Sequence, residues 1–205
     1  MEGRFPHAAN FSPRLFNGMS CAPFIRMTQL LRRFTGALTL DAGAYEDIEH
    51  DPHAAMQSIA VVAVVCMAGG FAGMGLGVIG PAGFVAGAII ALGGWLVWSA
   101  TIIALGTGPL AEPETHSDNR ELLRVLGFAA APGIFLVFAA MRSAAPVVFV
   151  IVTLWMLAAA VSGVRQALDY HTTSRALAVC VIALIVALGM LGAFATVFTV
   201  GVISS

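Results

Sequence analysis

The chain has 205 residues, of which 59% are hydrophobic and only 10% charged, with a formal net charge of −1. Ordinary soluble domains carry about 25% charged residues, so this composition excludes a water-soluble globular protein. It also excludes a nucleic-acid binder, which needs a basic field. All ten cations are arginine, and the three cysteines (Cys21, Cys66, Cys180) are too scattered for a disulfide framework or a zinc pattern.

Residues 1–26 mix Pro, Asn, Ser and Phe without periodicity and read as a poorly ordered tail without a signal-peptide core, with Met27 an alternative start. The membrane domain then runs over 27–205. It opens with an amphipathic helix, Met27 to Leu40. Met27, Leu30, Leu31, Phe34 and Leu38 form one face; Gln29, Arg32, Arg33 and Gly36 form the other. Such a helix is expected to lie along the cytoplasmic leaflet with its arginines toward anionic headgroups, the other arrangement being packing on the bundle.

Next comes "YEDIEHDPHAAMQ", where Tyr45, Glu46, Asp47, Glu49, His50, Asp51 and His53 crowd ahead of a long charge-free run. Asp51-Pro52 reads as a helix start, with Asp as N-cap and Pro at the first position. The four carboxylates form an acidic collar at that positive helix end, and the cluster is a candidate partner-docking surface. Carboxylate and imidazole also suit a divalent metal. No HExxH or fixed ligand set accompanies them, so His50, His53 and His171 stand only as metal candidates and no cofactor is expected.

Apolar runs of about 20 residues mark bilayer crossings. Five are expected, at about 54–78, 84–105, 122–141, 146–164 and 176–202. The fold class is therefore an all-α bundle of five transmembrane helices. Gly69, Gly73 and Gly77, with Gly83 and Gly87, recur every four residues and are expected to seat the first two spans together, or against a second copy in a homodimer. "GLGVIG" within this region is a formal dinucleotide fingerprint, but it lacks the strand before it and the access to water that the motif requires. Asp118 and Glu121 form a capping box before the third span. Inside that span, Pro132-Gly133 predicts a kink or break. Arg165 and Asp169 are spaced to pair, Tyr45 and Tyr170 fall where amphipathic rings settle at a membrane boundary, and Thr173 or Ser174 can cap the last span. Nine of the ten arginines fall on one side of such a bundle, leaving Arg142 alone on the other. That bias places the N-terminus in the cytoplasm and the C-terminus outside.

Three blocks, "MTQLLRRFTGALTLDAGAYEDIEHDPHAAMQSIAVV", "ELLRVLGFAAAPGIF" and "LWMLAAAVSGVRQALDYHTTSRALAVCVIALIV", occur in an order and spacing that resemble the bacterial branch of the Yip (Ypt-interacting protein) domain family, over about Met27 to Val200. The marks are Gly127-Phe128 with Pro132, resembling the family's Gly-Tyr-x-x-x-Pro element, and the polar Arg165–Arg175 turn. The resemblance implies five membrane helices with a cytoplasmic N-terminus. In eukaryotic relatives it also implies Rab-type GTPase binding and vesicle traffic, although here Phe128 replaces the tyrosine and the Asp-Leu-Tyr-Gly-Pro element is absent. Richness in Ala, Gly and Arg without Lys suggests a bacterial inner membrane. No nucleophile–base set or phosphate-binding lysine is present. The expected function is a non-catalytic scaffold or adaptor docking an unidentified membrane or cytoplasmic protein. The other reading is a small transporter, channel or lipid-moving protein built around Pro132-Gly133.

Overall fold

The structure is a computed structural model and describes residues 22–75, 80–111 and 118–203. In chain order it contains α1 (Ala22–Leu38), α2 (Ala42–His50), α3 (Ala54–Gly75), α4 (Pro81–Gly106), α5 (Asn119–Ala129), a 3-10 helix (Ala131–Ala140), α6 (Ala145–Ala167) and α7 (Thr173–Ile203). Five stretches are long and apolar enough to cross a bilayer: α3, α4, α5 with its 3-10 continuation, α6 and α7. A helix satisfies its own backbone groups where lipid offers none, and these spans carry no interior carboxylate or lysine. The chain is a multi-pass membrane protein.

The spans close into a ring. α3 packs on α4 and on the 3-10 helix, α6 on the 3-10 helix and α7, and α7 returns to α4. Large apolar side chains such as Ile59, Ile89, Ile151 and Ile185 point outward and are more than half exposed. That surface has its natural solvent in hydrocarbon. The α3–α4 seam depends on small residues: a Cβ on Gly73 would stand 2.5 Å from the Gly83 carbonyl and 2.8 Å from the Gly87 Cα. The four-residue glycine spacing thus seats these two helices within one chain; Gly77 lies outside the described residues.

The third span breaks where proline requires it. α5 begins with the expected capping box, Asp118 accepting from the first turn and Glu121 reaching back to the Asp118 N–H. It ends at Ala129, and Pro132, lacking an N–H, falls at the start of ten residues of 3-10 helix. This is a longer departure than a kink. At about 2.0 Å rise per residue instead of 1.5, the 3-10 stretch brings the span to roughly 36 Å, enough to cross with fewer residues. Gly133 lets it press on α3, where a Cβ would meet Val65 at 2.5 Å.

α1 and α2 form a hairpin packed on α3, α5 and α6. Leu40 makes the turn in a left-handed conformation (φ 62), with the Asp41 N–H donating to the Gly36 carbonyl at 2.9 Å. Asp41 then caps α2, accepting from the Gly43 N–H at 3.0 Å. Trp155, in the middle of α6, donates from Nε1 to the Leu38 carbonyl at 3.0 Å, which ties the end of α1 down against the bundle.

Candidate functional site

Polar side chains from α1, α2 and α3 meet at one arginine. Arg33 is 2% exposed, and each guanidinium nitrogen has a partner. Nε donates to Asp47 Oδ2 at 2.9 Å, one terminal nitrogen to Asp51 Oδ2 at 2.7 Å, and the other to Gln57 Oε1 at 2.8 Å. Arg32, largely exposed, adds a 3.0 Å contact to the same Asp47 oxygen. α1 supplies the cation, α2 and its C-terminal boundary the two carboxylates, and α3 the amide. Burial would lower the Arg33 pKa, but the hydrogen bonds to Asp47 and Asp51 outweigh it and raise it. Those bonds hold both carboxyls below their usual range.

This corrects the expected use of α1. Leu30, Phe34 and Leu38 do pack on the core, but Met27 and Leu31 are exposed and Arg33 and Ala37 are buried. The helix lies on the bundle, and Arg33 answers to carboxylates of its own chain instead of to lipid headgroups. Its inward direction had a signal: Leu30, Arg33 and Ala37 stand at spacings of three and four, on one helical face. Gln57, Arg124 and Trp155 carried no such signal.

The collar therefore divides in two. Tyr45 is fully buried, with its hydroxyl 3.4 Å from the Ala37 carbonyl. Burial raises its pKa. Asp47 and Asp51 belong to the Arg33 cluster. Asp51 also accepts from the His53 N–H at 2.9 Å and closes α2, so α3 starts at Ala54 after a turn in place of starting at Pro52. Glu49 is half-buried, which raises its carboxyl pKa, and its carbonyl accepts from Arg124. Glu46, His50 and His53 remain exposed. The His50 ring lies 2.9 Å from the Glu46 carbonyl through Nδ1, which as the donor favours the charged ring and raises its pKa. Among the described residues, no group of three or more His, Cys, Asp or Glu side chains converges to hold a metal, so His50, His53 and His171 are not brought together.

At the α6–α7 turn two further expectations change. Asp169 takes a left-handed conformation (φ 51), with its N–H on the Gln166 carbonyl and the Tyr170 N–H on the Arg165 carbonyl. The helix has ended, and among the described residues Arg165 and Asp169 form no ion pair. Tyr170 is 3% exposed, so its ring packs inside the protein and not against lipid. Its hydroxyl lies 3.1 Å from the Gly106 carbonyl and 3.0 Å from that of Leu110. α7 begins at Thr173 itself.

Gly127, Phe128 and Pro132 are all fully enclosed. A Cβ on Gly127 would meet the Ser58 Cβ at 2.6 Å, so this element packs α5 against α3 and presents nothing outward. In comparisons with protein-family models, curated proteins and solved structures, nothing matches the chain.

Proposed function

We propose that this protein is a non-catalytic membrane scaffold or adaptor of the Yip type, seated in a bacterial inner membrane with its arginine-rich end in the cytoplasm. The observation that carries the reading is where the polar chemistry lies. Its densest ion cluster lies on the α1–α2 hairpin, and Arg33 ties that hairpin to α3. A buried ion cluster contributes little net stability but can fix register. Such a register leaves Glu46, His50 and His53 exposed. Photo-crosslinkers placed singly at these three positions in native membranes are expected to capture one common protein, absent from a control at lipid-facing Ile89. Capture of nothing, or the same capture from Ile89, sinks the reading.

Transport is favoured by a separate observation. Trp98 Nε1 and Ser99 Oγ are buried in α4 without a hydrogen-bond partner, close along the helix to Trp95, which donates to the Leu126 carbonyl just before the third span breaks. Ion or labelled-lipid flux in proteoliposomes, abolished by Ser99→Ala, is the result that reading requires.

A further inference from the structure

A cavity of about 710 Å³ opens at the arginine-rich end, between the start of α2 and the α6–α7 turn. Clefts that accept small ligands span roughly 300–1,000 Å³. Ala42 and Val161 give it an apolar wall, while Ser162, Gln166, Arg165 and Asp169 line it with polar groups. The two ions are the unusual feature. Four apart on a continuous helix they would neutralise one another, but α6 stops at Ala167 and the left-handed backbone at Asp169 takes the carboxylate out of that row. Both are exposed, and among the described residues neither is in a salt bridge. One permanent cation and one anion thus line the same cavity, with His171 also on its wall, and neither ion is satisfied by the other.

We propose that this cavity binds a phosphoethanolamine headgroup, with the phosphate on Arg165 and the primary ammonium on Asp169. The guanidinium fork matches phosphate oxygens. An ammonium bearing N–H groups can donate to a carboxylate, which the quaternary nitrogen of choline cannot. Arg165 and Asp169 sum to zero charge when the His171 ring on the same wall is neutral, so a zwitterion fits better than an anionic headgroup. The wall of Ala42 and Val161 beside them suits the first carbons below a glycerol. The site is independent of the docking surface on α2, and the adaptor reading can fail without touching it.

The same chemistry is offered by a membrane lipid and by free phosphoethanolamine, so the test has an arm for each. The full chain is reconstituted in phosphatidylcholine nanodiscs doped with phosphatidylethanolamine or with phosphatidylglycerol, and retained lipids are counted by native mass spectrometry. Phosphatidylethanolamine is expected to be retained over both by about fivefold, the scale of an exposed charge contact. Arg165→Gln should abolish the enrichment, and Asp169→Asn should remove the preference over phosphatidylcholine. Stepwise N-methylation of the lipid, tested on the unaltered protein, should lower retention at each step and needs no folded variant. Binding of free phosphoethanolamine without lipid enrichment supports the headgroup chemistry and assigns a soluble source. Equal retention of all lipids together with no binding of free phosphoethanolamine, preference for phosphatidylglycerol, or, where lipid is enriched, a flat response to N-methylation overturns the proposal.

Discussion

Two tyrosines show how little a residue's type says about its work. Tyr45 and Tyr170 are both buried, yet their hydroxyls serve different needs. Tyr170 reaches the last carbonyl of α4, where a helix leaves acceptors without donors, and that of Leu110 in the turn beyond it. Tyr45 makes one long contact to the Ala37 carbonyl. Tyr170→Phe is therefore expected to cost about 1–2 kcal/mol, the penalty for stranding buried acceptors, and Tyr45→Phe distinctly less. Unfolding in a denaturing-detergent titration would measure both, and equal losses would contradict this assignment. Neither burial was legible in the sequence: an amphipathic ring near a predicted helix end is equally at home in the interface or under it. Arg33 is the harder case, since its partners stand 14, 18 and 24 positions away and helical periodicity describes one helix at a time.

At the scale of elements, the α1–α2 hairpin is an ion-clamped unit whose strength follows pH. The Asp47 and Asp51 carboxyls titrate below their ordinary value in the folded state. Their contribution is then present above the unfolded value, about 4, and is lost as pH falls through the folded pKa. His50 is shifted up, so its contribution is complete below about 6.5 and fades as pH rises through the folded value. The hairpin should be held most firmly between these limits. Spin labels at Gln29 and Met56 are expected to give one narrow distance near pH 5.5 and a broad distribution at pH 3, with Arg33→Gln broad at both. A width unchanged by acid would remove the clamp. The membrane helices were largely legible because an apolar run of about twenty residues without charge matches the thickness of hydrocarbon and little else. The capping box at Asp118 and the glycine seam were legible because both act locally or between neighbours in sequence. The ten-residue 3-10 stretch was not, since proline announces a break without saying what backbone follows it. The Arg165–Asp169 pairing failed for a related reason: side-chain spacing presupposes a helix that the backbone ends two residues too soon.

For the whole molecule, contacts and chain order place the described ends of the crossings. Tyr170 on Gly106 joins the α6–α7 turn to the end of α4, and Arg124 on Glu49 joins the start of α5 to the end of α2. At the other extreme, the end of α3 at Gly75 abuts the end of the 3-10 helix at Ala139. Arg32, Arg33, Arg120, Arg124, Arg165 and Arg175 therefore share an end, opposite Arg142. By the positive-inside rule that end is expected in the cytoplasm, so reporter tags before α1 and after α7 should read on opposite sides of the membrane. The same side for both would require a different number of crossings. Assembly in time follows from one bond already described, from the Trp155 indole to the Leu38 carbonyl across 117 positions of chain. A ribosome adding 5–20 residues per second delivers that tryptophan roughly ten seconds after the leucine. Throughout that delay the nascent hairpin has no seat on α6, whereas Asp47, Asp51 and Gln57 emerge almost at once after Arg33. The salt cluster can close first, keeping a young charged segment folded on itself until the helices that receive it have entered the bilayer.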